Sequence, residues 1–264
     1  MKLKVLVDNN THIDDYYLGE PGLSFYIEEG ENKVLFDTGY SDIFMSNAKL
    51  MNIDLSKINY LILSHGHNDH TGGLKVLKDE DLSNVKLIAH PFVFEKKEHN
   101  GLDISSPVEL SELKVKEYID GTDMVKISDK LYFLGQIKRV TDFENNPVGL
   151  KTLTKTPDYL EDDSALVYLA DDGLFIITAC SHSGICNIIE QAKRVFNDNR
   201  IIGVIGGFHL LKKDKQLDET VVYLGKQNIK DLYPCHCVSL YAKHKMYETC
   251  NVHEVGVGLE LNIK

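Results

Sequence analysis

The stretch Leu61-Ile62-Leu63-Ser64-His65-Gly66-His67-Asn68-Asp69-His70-Thr71-Gly72-Gly73 decides the reading of this chain. Between positions 65 and 70 it holds three imidazoles and a carboxylate, directly after an apolar run. Imidazole nitrogen and carboxylate oxygen are the donors that suit zinc, iron or manganese. Asn59 to Leu63 reads as a short buried strand. Glycines at 66, 72 and 73 then allow tight turning, so that alternate side chains converge on one point. A solvated polar loop is the competing reading, but such a loop seldom gathers so many histidines. The stretch reads as a metal site.

The same strand-then-ligand order recurs downstream. Phe175 to Thr178 runs into Cys180-Ser181-His182, Ile201 to Ile205 into Gly206-Gly207-Phe208-His209, and Leu232-Tyr233 into Cys235-His236-Cys237. In open α/β folds, sites form where loops leave the ends of several strands. His182 and His236 are therefore candidate ligands, and Cys180 is a further one, a buried hydrophobe being its alternative. His209 could orient substrate or donate a proton. Strand alternation would turn Cys235 and Cys237 away from His236 and leave both structural. His12, His90, His99, His244 and His253 lack such company, and surface or capping roles suffice for them.

Elsewhere the pattern is that of a layered α/β domain. Strands are expected at 4–7, 22–28, 33–37, 85–89, 113–118, 131–134, 165–169, 174–178, 200–205 and 231–233. Helices are expected over Ser41–Met51, with Ile43, Phe44, Ala48 and Leu50 inward, then Gly73–Lys78, Gly184–Phe196 and Glu219–Gln227. No linker splits the chain, so residues 1–264 read as one domain. Residues 100–163 are the least regular, with Pro147 and Pro157 in their polar later part, and suggest a lid-like segment over a site.

The formal net charge of −11 disfavours a nucleic-acid surface. An acidic protein can still take an anionic small molecule where a metal supplies local positive charge. No apolar run approaches membrane-spanning length, and the apolar stretch near Met1 is too short for a signal peptide. Five cysteines, all from position 180 onward, form no disulfide framework, and a reducing cytoplasm is the simplest compartment. The sequence leaves the oligomeric state open.

His65-x-His67-x-Asp69-His70, with Leu35-Phe36-Asp37-Thr38-Gly39 upstream, resembles the signature of the metallo-β-lactamase superfamily. Gly135-Gln136-Ile137-Lys138-Arg139, Phe143-Glu144, Asp162-Asp163-Ser164-Ala165-Leu166, Cys180-Ser181-His182-Ser183-Gly184-Ile185 and Gly206-Gly207-Phe208-His209-Leu210 narrow the resemblance. They look like its dihydropteroate-synthase-like branch, labelled 7,8-dihydropterin-6-methyl-4-(β-D-ribofuranosyl)-aminobenzene-5′-phosphate synthase. The resemblance implies a four-layer αβ/βα sandwich with two divalent metal ions at one edge, zinc first, with iron or manganese as alternatives. It would give His65 and His67 to one ion, Asp69 and His70 to the other, and make His236 the last ligand. Two departures stand out. Asp162-Asp163 lies where the superfamily carries a third histidine, making Asp163 a further candidate ligand, and Cys180-Ser181-His182 replaces the usual bridging aspartate. Asp37 would hold a ligand imidazole from behind. Asp69 could also orient a metal-bound hydroxide, and Arg139 and Glu144 could contact substrate or merely anchor a loop.

The expected activity is that of a metal-dependent hydrolase or transferase, using a metal-bound hydroxide or Lewis acidity. Its substrate would be a small phosphorylated or cyclic ester-like metabolite, pterin-related by the branch label. A nuclease or phosphodiesterase of the same superfamily, a diiron redox protein and a binding module without turnover are the competing readings.

Overall fold

The structure is a computed structural model that describes residues 1–264. Its first part carries β1 (Lys2–Val7), β2 (Ser24–Glu29), β3 (Asn32–Phe36), α1 (Ile43–Leu50), β4 (Tyr60–Ile62), α2 (Asn68–Thr71), α3 (Leu74–Leu77) and β5 (Lys86–Ala89). The middle holds β6 (Lys97–His99), β7 (Leu102–Asp103), β8 (Glu117–Asp120), β9 (Val125–Lys126), β10 (Leu131–Phe133) and β11 (Leu150–Lys151). The last part holds β12 (Ala165–Ala170), β13 (Gly173–Thr178), α4 (Ile185–Phe196), β14 (Ile201–Gly206), α5 (Lys215–Lys226), β15 (Asp231–Pro234), α6 (Leu240–Tyr247) and β16 (Glu260–Asn262).

Two sheets follow, in the orders β16-β1-β2-β3-β4-β5-β8 and β15-β14-β13-β12-β10-β9, with a small third sheet β11-β6-β7. Their central strands are apolar on both faces, as strands covered on both sides must be. In β3, Val34 and Phe36 point to the core between the sheets, while Leu35 points to the core under the first helices. In β13, Phe175 and Ile177 face the other sheet, and Leu174 and Ile176 face α4 and α5. Three apolar cores therefore separate four layers: α1 and α3, first sheet, second sheet, α4 to α6. This is the αβ/βα sandwich.

Side-chain chemistry explains where the observed elements depart from expectation. In α1, Leu50 is exposed, and Asn47 takes the inward place instead. Its amide donates to the Leu6 and Leu18 carbonyls at 2.8 and 2.7 Å, which tolerates its burial. Helix α5 begins at Lys215 rather than 219, because Asp214 caps it by accepting the Leu217 N–H at 3.1 Å. Helix α6 has no clear apolar stripe; Leu240, Tyr241 and Tyr247 are all exposed.

Residues 100–163 are more regular than their sequence suggests. Strand β8 pairs with β5 at the edge of the first sheet, and β9 and β10 extend the second. The segment thus crosses from sheet to sheet, and only a small part of it lies over the site.

In the first sheet β3, β4, β5 and β8 run parallel, and in the second β13, β14 and β15 do. Their C-terminal ends deliver Asp37, the histidine loop, Cys180, His209 and His236 to one edge.

Candidate metal centre

Four overlapping groups of donor atoms meet at this edge, Cys180–His182–His209 and Asp37–His65–His70 among them; the other two share no residue and divide the site. His65, His67 and His182 form one, and Asp69, His70, Cys180 and His236 the other; within each, the donor atoms lie within 4.8 Å of one another. His65 and His182 stand ring to ring at 4.8 Å, His65 and His70 at 4.3 Å, so the groups adjoin. His209 lies against His182 with ring centroids 4.3 Å apart.

Hydrogen bonds aim the imidazoles. The Asp37 carboxylate accepts the Ser64 N–H at 2.8 Å, the Ser64 hydroxyl at 2.6 Å and His70 Nδ1 at 2.8 Å. With its proton given to Asp37, Ser64 Oγ can only accept from His65 Nδ1, 2.9 Å away. His236 Nδ1 likewise faces Asn9 Oδ1 at 2.8 Å, and its backbone N–H donates to Asp8 Oδ2 at 2.8 Å. Three imidazoles thus commit Nδ1 to a partner behind them and turn Nε2 inward.

His70 Nε2 meets Cys180 Sγ at 3.1 Å and His236 Nε2 at 3.2 Å, but the inward nitrogens of the first group lack partners. His65 Nε2, His67 Nε2 and both nitrogens of His182 are buried without a hydrogen bond. Orphaned polar atoms are costly in a protein interior, and three imidazoles that each bring one such nitrogen to one point need a common partner. A divalent cation fits: the donors are imidazole, thiol and carboxylate, and their lone pairs converge.

Electrostatics agree. Burial, reinforced by the neighbouring imidazoles, holds His65 and His182 well below the ordinary imidazole range, and burial brings His67 down to about 3. These rings are neutral and ready to ligate. His70 is different. Burial works against its charge, but Asp69 and Asp37 outweigh it and raise it to about 9. Burial would also raise Asp69, yet His70 and His236 keep it well below the usual carboxylate range. The second group is therefore an anionic nest that holds a proton where a cation would sit.

Above both groups opens a cavity of about 890 Å³, reached by His67, Asp69, Cys180, His182, His209 and His236. Pro147, Val148, Ile104 and Leu211 supply apolar wall, and His99 and Lys212 cationic or polar rim.

The expected site residues His65, His67, Asp69, His70, Cys180, His182, His209 and His236 thus come together, with Asp37 behind them. Asp163 does not join either group. Its Oδ2 is engaged by the Ser183 N–H at 2.9 Å and by the Ser183 hydroxyl, so it shapes the loop from Cys180 to Gly184. Burial raises its carboxyl to about 6. Neither Arg139 nor Glu144 lines the cavity, and each has an anchoring partner elsewhere. The Arg139 guanidinium donates to the Tyr159 carbonyl, tying two loops. Glu144 is buried beneath α4 and accepts the Cys186 and Asn187 N–H groups at 3.0 and 3.1 Å, closing a helix N-terminus.

Cys235 points into the core between the sheets as expected, but Cys237 lines the cavity. His236 has a left-handed backbone (φ 50°), which breaks the alternation that would have hidden Cys237. The Cys237 thiol approaches the Cys180 carbonyl at 3.6 Å and accepts the His209 N–H at 3.3 Å. Asp8 and Asn9 were missed, although they follow the first strand just as the histidines follow theirs.

A sequence model of the metallo-beta-lactamase superfamily matches residues 18–195. The chain belongs to the metallo-β-lactamase superfamily. A relative in the archaeon Methanocaldococcus jannaschii, named 7,8-dihydropterin-6-methyl-4-(beta-D-ribofuranosyl)-aminobenzene-5'-phosphate synthase, is 30% identical across 94% of this chain and 91% of its own. An uncharacterized protein of the same archaeon is 33% identical across 94% of this chain and 95% of its own. Among solved structures, Tm1679, described as a metal-dependent hydrolase of the beta-lactamase superfamily, superposes with a TM-score of 0.85 at 28% identity. That match covers 99% of this chain and 98% of Tm1679. Zinc-bound PqqB from Methylobacterium extorquens shares the fold, with a TM-score of 0.60 at 13% identity across 99% of this chain and all of its own. The named relative bears out the resemblance to the dihydropteroate-synthase-like branch. The superfamily fold implies divalent metal binding, and the donor groups fit it. No helix is long and apolar enough to cross a membrane.

Proposed function

We propose that this protein is a metal-dependent hydrolase or transferase for a small anionic metabolite, phosphorylated or cyclic ester-like. The observation that carries this reading is the set of orphaned imidazole nitrogens turned toward one point beneath an open cavity. His65, His67 and His182 would hold one divalent ion, and Asp69, His70, Cys180 and His236 a second, zinc first, with iron or manganese as alternatives. Bound there, such ions supply Lewis acidity to an ester or phosphoryl oxygen and lower the pKa of a water.

The chain's own residues do the rest. Asp69, partly exposed at the cavity floor and held ionised by His70 and His236, accepts a hydrogen bond from the attacking water and fixes its direction. His209 stands at the cavity wall beside His182 and gives a proton to the leaving oxygen. Lys212 and His99 attract the anionic part of the substrate. Pro147, Val148, Ile104 and Leu211 exclude water from its apolar part. The name of the Methanocaldococcus relative supports a pterin-related substrate.

The chain acts as one unit in this reading, since the core between the sheets takes residues from Leu3 to Val255. Five unpaired cysteines, three of them buried, support a reducing cytoplasm as its place.

The test is a substrate screen of metal-loaded protein against phosphodiesters, phosphomonoesters, lactones and a dihydropterin pyrophosphate with an arylamine acceptor. Asp69→Ala is expected to abolish turnover on whichever substrate responds. Turnover that survives undiminished in both Asp69→Ala and His65→Ala would refute the reading. Full metal loading with no turnover on any class would favour a binding module.

A further inference from the structure

Lys97 is the one lysine buried in this protein, with 2% of its surface exposed. Its ammonium donates to the Phe92 carbonyl at 2.6 Å and pairs with Asp162 Oδ2 at 3.3 Å. Asp162 is itself only 1% exposed, and the same Oδ2 accepts the backbone N–H of Gly66 at 2.8 Å. Gly66 is the residue between His65 and His67.

The histidine loop is held tightly at this point. A Cβ at Gly66 would lie 2.2 Å from the Val93 carbonyl oxygen, so the loop rests directly on the turn whose Phe92 carbonyl Lys97 grips. The backbone of Lys97 reaches the loop's other flank. Ser105 Oγ accepts the Lys97 N–H at 2.7 Å, and Ser105 forms a β-bridge with His67. Next to it, the Ile104 carbonyl accepts the Asn68 N–H at 2.9 Å. One residue is therefore linked to both sides of the loop that carries His65 and His67, through Asp162 on one and Ser105 on the other.

A buried ion pair is a poor choice for stability alone, because apolar residues of the same volume do as well or better. What a carboxylate offers here is a strong acceptor at one backbone N–H, and what the ammonium offers is a fixed place for that carboxylate. Neither residue lines the cavity. We infer that Lys97 and Asp162 are positioning residues of the metal centre: their ion pair clamps the backbone at Gly66, so that His65 and His67 present their nitrogens to a single ion. Asp162 thus acts from behind the ligands, through the backbone that carries them.

This inference rests on the metal reading above, and the experiment separates the two. Full-length parent and the variants Asp162→Ala, Asp162→Asn and Lys97→Met are stripped and titrated with zinc against a chelator, then with cobalt(II) while the visible spectrum is recorded. Variants are compared below their unfolding transitions. Asp162→Ala is expected to lose about 10- to 100-fold in zinc affinity, the usual effect of removing a partner behind a ligand. Its cobalt spectrum should shift as the ligand angles relax. Asp162→Asn keeps an acceptor for Gly66 and is expected to recover part of the affinity, with Lys97→Met falling between. Parent affinity and an unshifted spectrum in folded Asp162→Ala would overturn the inference. If that variant does not fold, the same outcome in both Asp162→Asn and Lys97→Met overturns it. A parent that binds neither metal overturns the metal reading itself, and this inference with it.

Discussion

At Asp37 one carboxylate serves two imidazoles, taking His70 Nδ1 directly and aiming His65 through Ser64. Replacing it with alanine frees both rings and leaves the buried Ser64 N–H unpaired. Asp37→Ala is expected to weaken zinc binding by about 10- to 100-fold, read by chelator competition. His70 offers a second test, through pH. In the metal-free protein its value is raised from 6.5 to about 9. A raised histidine stabilises the fold fully below its unfolded value and loses that contribution as pH climbs through its folded value. Metal-free protein should therefore lose thermal stability between about pH 6.5 and 9. Metal must displace the proton, so zinc binding near neutrality should release it, and calorimetry in buffers of different ionisation enthalpy should detect the release. His70→Gln should remove the pH dependence of stability and lower the proton release to the share given up by the Cys180 thiol, which burial keeps protonated in the metal-free protein; a pH profile unchanged by that substitution would contradict the assignment.

The elements that carry these residues are short, and their ends matter more than their lengths. Glu144 closes α4 by accepting two N–H groups, and Gly184 leaves room for it, since a Cβ there would meet the Glu144 side chain at 2.3 Å. Glu144→Ala is expected to cost about 1–3 kcal/mol, read by chemical denaturation, with folded protein still binding metal. A loss of metal at full stability would instead return Glu144 to the site. Periodicity made the core strands legible, because Val34, Leu35 and Phe36 must be apolar on both faces to lie between helix and sheet. It could not reveal α6, whose Leu240, Tyr241 and Tyr247 face solvent and leave no stripe to read. Nor could it place Cys237, because that depends on one left-handed residue at His236. Asp8 and Asn9 were within reach of the rule that found the histidines, since they too end a strand.

Across the whole molecule, the two sheets bring loops far apart in sequence to one edge, so a cluster at 65–70 finds partners at 182 and 236. Local sequence showed the donors but not their grouping. His182 pairs with His65 and His67 only because β13 in one sheet faces β4 in the other across the common core. Under the proposed function, this edge holds two divalent ions in separate donor groups. Metal content per chain, measured by mass spectrometry after zinc loading and desalting, decides between two ions, one and none. Two zinc ions are expected in the parent, and about one in each of His182→Ala and His236→Ala. A parent retaining none, or both variants retaining the parent's content, would contradict the two-ion reading.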